Sequence, residues 1–272
     1  GIVSSFNVSV AAQGSGRLGY TVLVHLKNAL LSGTYDYVEI RVAPSDKQIE
    51  TVEIAGNVWM AFNARSHDLE DQIYPLDGAT VEDMYHKSWI NTVGGLFQFG
   101  RLYMYVPWQG YNPSNNLGNQ TADTPWVNDT HMPCPEGYRI PTGNEWQSLL
   151  PADQEIPGRY KAGNGETIAA TLHIGEGTLI TPSSGVTGTQ HYVKFTSEDT
   201  GRSLIIPLAG SKGDKSSSNN PAFGKRAVLW TNGLPGGYAW AYWLPFEGAE
   251  STVIKKQRLQ MEAFASVRCV KK

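Results

Sequence analysis

Cysteine is nearly absent from this chain: there are two in 272 residues, Cys134 and Cys269, 135 positions apart. Without a Cys-x-x-Cys or an adjacent histidine, the pair excludes a thiol redox motif and a cysteine zinc site, leaving one long-range disulfide or two buried free thiols. Closing so long a loop would contribute roughly 4 to 5 kcal/mol by the loop-entropy model. Apolar runs are short as well; none reaches the roughly 18 residues that would predict a transmembrane helix. Charge is sparse and balanced, with 22 Lys and Arg against 25 Asp and Glu and a net charge of -3. No Lys/Arg run exceeds two residues, which excludes a basic nucleic-acid stripe. The histidines (His25, His67, His86, His131, His173 and His191) show neither His-x-x-x-His nor His-Glu-x-x-His spacing. A zinc centre is therefore unsupported, and the missing Gly-x-Ser-x-Gly excludes a nucleophile elbow. No cofactor and no metal are expected.

What the chain has in plenty is glycine (29), tyrosine (13) and tryptophan (8), while charged residues fall to 17%, below the roughly 25% usual for soluble domains. This composition predicts a loop-rich β protein with an aromatic core or an aromatic binding surface. Segments 2–12, 18–27 and 35–43 are rich in Val, Ile, Tyr and Thr, and Gly- and Ser-containing turns separate them. They predict three antiparallel strands, a small β extension over 1–47 or the end of a truncated β-sandwich, since three strands alone are marginal. Pro44 to Lys47 marks the boundary, with a second domain over 48–272. There, alternation from Ile49 to Met60 encloses a turn at Ala55-Gly56-Asn57, and Val81 to Ile90 has the pattern of a short helix. Strands are predicted near 167–174, 190–195, 203–208, 227–232, 237–244 and 263–270.

The most informative stretch is CPEGYRIPTGNEW, Cys134 to Trp146. Extended Tyr138-Arg139-Ile140 stops at Pro141, Thr142 suits a helix N-cap, and Glu145 stands three residues on, the spacing of a capping box. A helix is expected from about Thr142, carrying Trp146, Leu149 and Leu150 toward a core.

That arrangement resembles the signature of two related groups, the formylglycine-generating, sulfatase-modifying enzymes and the bacterial surface proteins of the Fibrobacter succinogenes major paralogous domain. Further segments favour the second group and follow its order. They are Trp59, Met60, Ala61 and Asn63; Gly100 to Tyr103; Cys134 to Thr142; and the closing Ser266 to Val270. The resemblance implies an α+β domain of the C-type-lectin-like fold, with paired terminal strands and long functional loops. It also implies a Cys134–Cys269 disulfide, because the family carries its cysteines at these positions. It implies an exported protein of a Bacteroidetes-like bacterium, on the cell surface or associated with the outer membrane as surface lipoproteins are. Gly1 reads as the residue left after removal of a tag, so a natural leader is expected to be absent from this sequence.

Enzymatic activity does not carry over. Formylglycine generation relies on a copper-binding cysteine pair near the end of the domain, and only Cys269 lies there. Calcium-dependent sugar binding in C-type lectins uses a Glu-Pro-Asn or Gln-Pro-Asp loop followed by Trp-Asn-Asp; neither occurs, and Trp126-Val127-Asn128-Asp129 carries an inserted valine. The acidic cluster around His67 and Asp68 reads as a solvated loop rather than a calcium site.

Aromatic residues are the remaining candidates. Trp108, Tyr111 and Trp126 share the long 107–133 loop with Asn115, Asn116, Asn128 and Asp129, and rings beside amides suit a sugar or a peptide backbone. Strand alternation places Tyr238, Trp240 and Tyr242 on one face, either as a platform for a ligand or as core against the Trp146 helix; Trp243 on the other face joins the candidate contacts. The expected role is a non-catalytic surface module binding a glycan or a protein ligand through the 107–133 and 210–224 loops. Its alternative is an accessory or tip subunit of a pilus, whose N-terminal strands pair with a neighbouring subunit.

Overall fold

The computed structural model describes residues 20–27, 35–42, 49–65, 72–73, 79–87, 92–100, 104–105, 126, 132–175, 191–211, 224–233, 238–244, 253–261 and 263–272. The predicted N-terminal strand at 2–12 and most of the 107–133 and 210–224 loops lie outside them. Strands β1 (Tyr20–Lys27) and β2 (Tyr35–Val42) pair antiparallel from Tyr20↔Val42 to Lys27↔Tyr35.

From residue 51 onward the described residues form three sheets. Strands β3 (Thr51–Ile54) and β4 (Asn57–Met60) are a hairpin. Its two turn residues have positive φ, 52° at Ala55 and 76° at Gly56, as a right-twisting two-residue hairpin requires. Helix α1 (Val81–Lys87) follows, then β5 (Leu96–Gln98), β6 (Met104–Tyr105) and β7 (Tyr138–Arg139). After α2 (Gly143–Leu149), an antiparallel meander runs through β8 (Gly158–Lys161), β9 (Thr167–His173), β10 (Tyr192–Ser197) and β11 (Ser203–Pro207). Last come β12 (Ala227–Trp230), β13 (Tyr238–Leu244), β14 (Lys255–Gln260), β15 (Phe264–Ser266) and β16 (Val270–Lys271). The six-stranded sheet has the order β14-β13-β12-β15-β5-β6, with β12 and β15 parallel, and the remaining sheet is β3-β4-β16-β7.

The expected α+β, C-type-lectin-like class is corrected by this architecture. Among the described residues, sixteen strands stand against two helices of seven residues each. A helix of that length is about 10 Å long. Each therefore packs locally against the strands, and neither builds a helical layer. The protein is mostly β.

Helix α2 forms as its capping box dictates. The Thr142 hydroxyl accepts from Glu145 N at 3.2 Å and the Glu145 carboxylate accepts from Thr142 N at 2.7 Å. Trp146, Leu149 and Leu150 are fully buried against the meander, together with Trp59, Phe195 and Leu229. Helix α1 begins with the analogous exchange between Thr80 and Asp83: Thr80 N donates to the carboxylate at 2.9 Å, and Asp83 N donates to the hydroxyl at 3.0 Å.

The single strand expected over 263–270 is two. β15 ends at Ser266 in the six-stranded sheet, and β16 opens at Val270 between β4 and β7, opposite Trp59 and Arg139. The crossing residues are held by backbone bonds, Ala64 N to Val267 O at 2.8 Å and Met60 N to Cys269 O at 2.9 Å. This crossing brings Cys269 to Cys134.

Candidate functional site

The sequence anchors converge on one buried centre. Cys134 and Cys269 are disulfide-bonded with Cα atoms 5.8 Å apart, and both sulfurs lie in a cluster with Phe99, Trp126, Trp230 and Val267. The Trp59 and Trp146 rings pack at 4.6 Å, and their indole N–H groups donate to Ile54 O and Trp230 O at 3.2 and 3.0 Å. Trp230 donates in turn to Phe97 O at 2.7 Å. Each buried ring thus has its one polar atom satisfied, the condition for placing tryptophan in a core.

Arg268 is the cation of this centre and has no solvent exposure. Its Nη1 donates to Met60 O at 2.9 Å and its Nη2 to Ile205 O at 2.8 Å, while Nε takes the Asn63 amide oxygen. Burial draws its pKa downward, partly offset by the Tyr85 hydroxyl, whose own pKa burial pushes up. Sequence reasoning placed Arg268 only within the closing anchor. Its burial had no local signal, because its acceptors lie 63 to 208 positions away.

On the outer side, Arg139 grips Glu145 in a fork, Nη2 to Oε1 at 2.5 Å and Nη1 to Oε2 at 2.7 Å. Burial works against the Glu145 charge, but the bonds from Arg139 and Thr142 outweigh it and hold the carboxyl below its ordinary 4.5. The anchor thus spends its acid on the helix cap and its arginine on that acid.

Two polar features lie at the surface. Lys194 Nζ reaches Glu82 Oε2 at 2.5 Å, and the Tyr192 hydroxyl bridges Glu82 Oε1 and His86 Nε2 at 3.2 Å each, with His173 stacked on the Tyr192 ring at 4.4 Å. Burial opposes the Glu82 charge, yet Lys194 and Tyr192 together hold its carboxyl below 4.5, and burial beside Glu82 pushes the Tyr192 phenol up. This cluster fastens α1 to β10. A groove of about 470 Å³ lies beside β3 and β11, lined by Thr51, Val52, Glu53, Val58, Arg202 and Ser203, with Arg202 and Glu53 paired at 2.6 Å. Among the described residues, no three His, Cys, Asp or Glu side chains are grouped to hold a metal ion, and no helix is long and apolar enough to cross a membrane.

Of the predicted ligand residues, Trp108, Tyr111, Asn115, Asn116, Asn128 and Asp129 lie outside the described residues. Trp126 is 5% exposed and packs at 4.6 Å from Phe99 and 6.2 Å from Trp230, so its ring belongs to the core around the disulfide. The Trp243 backbone pairs Val228 and Lys255; its side chain, like those of Tyr238 and Trp240, lies outside what is described. Tyr242 is buried 6.0 Å from Trp146 and donates to Gly143 O at 3.1 Å, which makes that end of the aromatic row core.

Fold and centre together define a β-rich domain stapled by one long-range disulfide, with β16 clasped between β4 and β7. The chain belongs to the Fibrobacter succinogenes major domain family, whose model matches residues 52–271. No curated protein and no solved structure matches it.

Proposed function

We propose that this domain is a non-catalytic binding module of an exported, cell-surface protein, recognising a glycan or a protein ligand through its 107–133 and 210–224 loops. One observation supports this reading above the others: the anchor residues that could do chemistry are consumed by the scaffold. Both cysteines are bonded to each other, Arg268 is fully buried among carbonyl and amide acceptors, and Glu145 is committed to Thr142 and Arg139. A nucleophilic thiol or an accessible acid-base pair is thereby missing from the anchor itself. Function then falls to the loops carried by a rigid frame, where ligand residues are commonly found.

The test is a glycan array read with and without calcium, alongside capture of surface proteins on the immobilised domain. Calcium-independent binding that disappears when residues 107–125 are exchanged for a Gly/Ser linker, with thermal stability retained, is the expected result. Capture of a pilus subunit by strand addition at the β1–β2 pair, with no glycan bound, would replace this reading with an assembly role.

A further inference from the structure

The groove beside β3 and β11 runs along two strand edges. Among the described residues β3 is the outer strand of the β3-β4-β16-β7 sheet, and β11 is the outer strand of the meander. Thr51, Val52 and Glu53 line the groove in succession. Neighbours in a strand point to opposite faces, so the groove follows the rim of the sheet and not one of its faces.

Register decides which backbone groups look into it. Ala61 N donates to Glu50 O at 2.8 Å, and the ladder continues through Thr51↔Met60, Val52↔Trp59 and Glu53↔Val58. Antiparallel pairs alternate between bonded and open, so Val52 and Ile54 bond β4 while the N–H and C=O of Thr51 and Glu53 point away from it. On β11, Arg202 O accepts from Ser197 N and Leu208 N donates to His191 O, both at 2.9 Å, which turns Ser203 and Ile205 outward. Ile205 O shows the same parity, since Arg268 and Tyr85 take it and β10 does not. The outward backbone groups of Thr51, Glu53 and Ser203 have no such partner among the described residues. Beside them stand half-buried Val52 and Val58 and the exposed Glu53–Arg202 pair.

We propose that this rim binds an extended peptide segment of a partner protein, added to the β3 sheet as a fifth strand. Donors and acceptors repeating at every second residue, roughly 7 Å apart, are matched by another extended main chain, and strand addition is the recognition mode that uses them. Val52 and Val58 suit apolar side chains at alternate positions of that peptide. A second copy of this chain would bring a whole sheet edge, and the wall formed by Arg202 and Ser203 stands where the rest of that sheet would go. A four-residue edge flanked by exposed charges is also how sheets discourage pairing, and that protection needs no partner. The experiment separates the two.

Linear random peptides displayed on phage would be selected on the folded domain, and the enriched peptide synthesised and titrated by calorimetry. N-methylation at every second residue should abolish binding in one register and spare it in the other, because only alternate N–H groups of an added strand face β3. Amide hydrogen exchange at Thr51 and Glu53 should slow in the complex. Glu53→Pro removes one outward donor and leaves the β4 ladder whole, since proline is tolerated where an edge N–H faces out; it should weaken binding about tenfold or more. If that variant melts early, the methylated peptides and the exchange measurement decide without it. The 107–125 exchange should leave this binding intact. No enriched peptide, equal loss from both methylated registers, or unchanged exchange at Thr51 and Glu53 would overturn the proposal. A concentration-dependent dimer that protects the same amides without peptide would assign the rim to a second copy and overturn it as well. Binding lost only in the loop exchange would overturn it too, while supporting the loops as the binding surface.

Discussion

Arg268 donates through Nε to the Asn63 side-chain oxygen at 3.0 Å, joining residues 205 positions apart in the chain. Asn63 also gives its own N–H to Val93 O at 3.0 Å, so the guanidinium, the amide and three backbone carbonyls make one buried network. The first and last family anchors are thereby a single unit. Its integrity decides whether β4, β11 and the β15–β16 crossing stay in register.

Replacing Arg268 by Met should leave three buried acceptors short of a donor and cost at least about 3 kcal/mol in urea unfolding, since each orphaned group costs about 1–3 kcal/mol. Lysine should recover little, because a single ammonium cannot span the fork. Asn63→Ala should cost less, and the double variant should fall short of the sum. A sum that adds within about 0.5 kcal/mol would contradict the shared network.

Gly94→Ala should be destabilising through the same amide. Gly94 has φ +73°, and an added Cβ would stand 2.5 Å from Asn63 Cβ and 3.1 Å from Asn63 O. Left-handed backbone costs an alanine about 1–2 kcal/mol, and displacing Asn63 adds about 1–3 kcal/mol. Thermal melting should show the drop, with the Arg268 network variants partly masking it.

Reducing the disulfide, or replacing Cys134 and Cys269 by alanine, should remove about 2–5 kcal/mol. The bond closes a 135-residue separation inside a cluster of buried rings. Denaturant unfolding with and without reductant measures the difference, and equal midpoints would show the packing alone suffices.

Acid should loosen the α2 cap. Glu145 has a depressed folded pKa, so its contribution is fully present above its ordinary 4.5 and is lost as the pH falls through the lower folded value. Glu145→Gln keeps a capping side chain but removes the charge paired with Arg139. Its stability should vary less with pH below 4.5 than that of the parent, and identical acid limbs would refute the assignment.

Trp126→Ala should unfold the protein more readily, by about 3–5 kcal/mol, because its ring is packed against Phe99 and Trp230. Trp108→Ala and Tyr111→Ala should instead reduce ligand binding with little change in melting temperature. If Trp108→Ala lowers stability as much as Trp126→Ala does, the loop is an anchor and not a binding surface.

Local chemistry made much of this legible from the chain. The Thr142–Glu145 spacing announced α2 and its buried Trp146, and Ala55-Gly56 announced the β3–β4 hairpin. The α+β class came from the family resemblance, whereas the composition already predicts a β protein; what the residues hid were β5 and β6, of three and two residues, too few to show a period, which only distant partners make strands. The α1 cap was in the sequence as Thr80 and Asp83, with aspartate in place of the usual glutamate. Arg268 could not be read locally at all, because a buried cation is specified by acceptors that the fold alone assembles.

The β15–β16 crossing has a temporal consequence. β16 is an inner strand of its sheet, and its neighbours β4 and β7 belong to much earlier parts of the chain. While a ribosome still holds residues 264–271, β4 and β7 lack the strand between them and Cys134 lacks its thiol partner. Such distant pairing forms late, after the loop entropy of the whole intervening chain has been overcome. Sheet closure and cross-linking therefore both wait on the same short segment, residues 264–271.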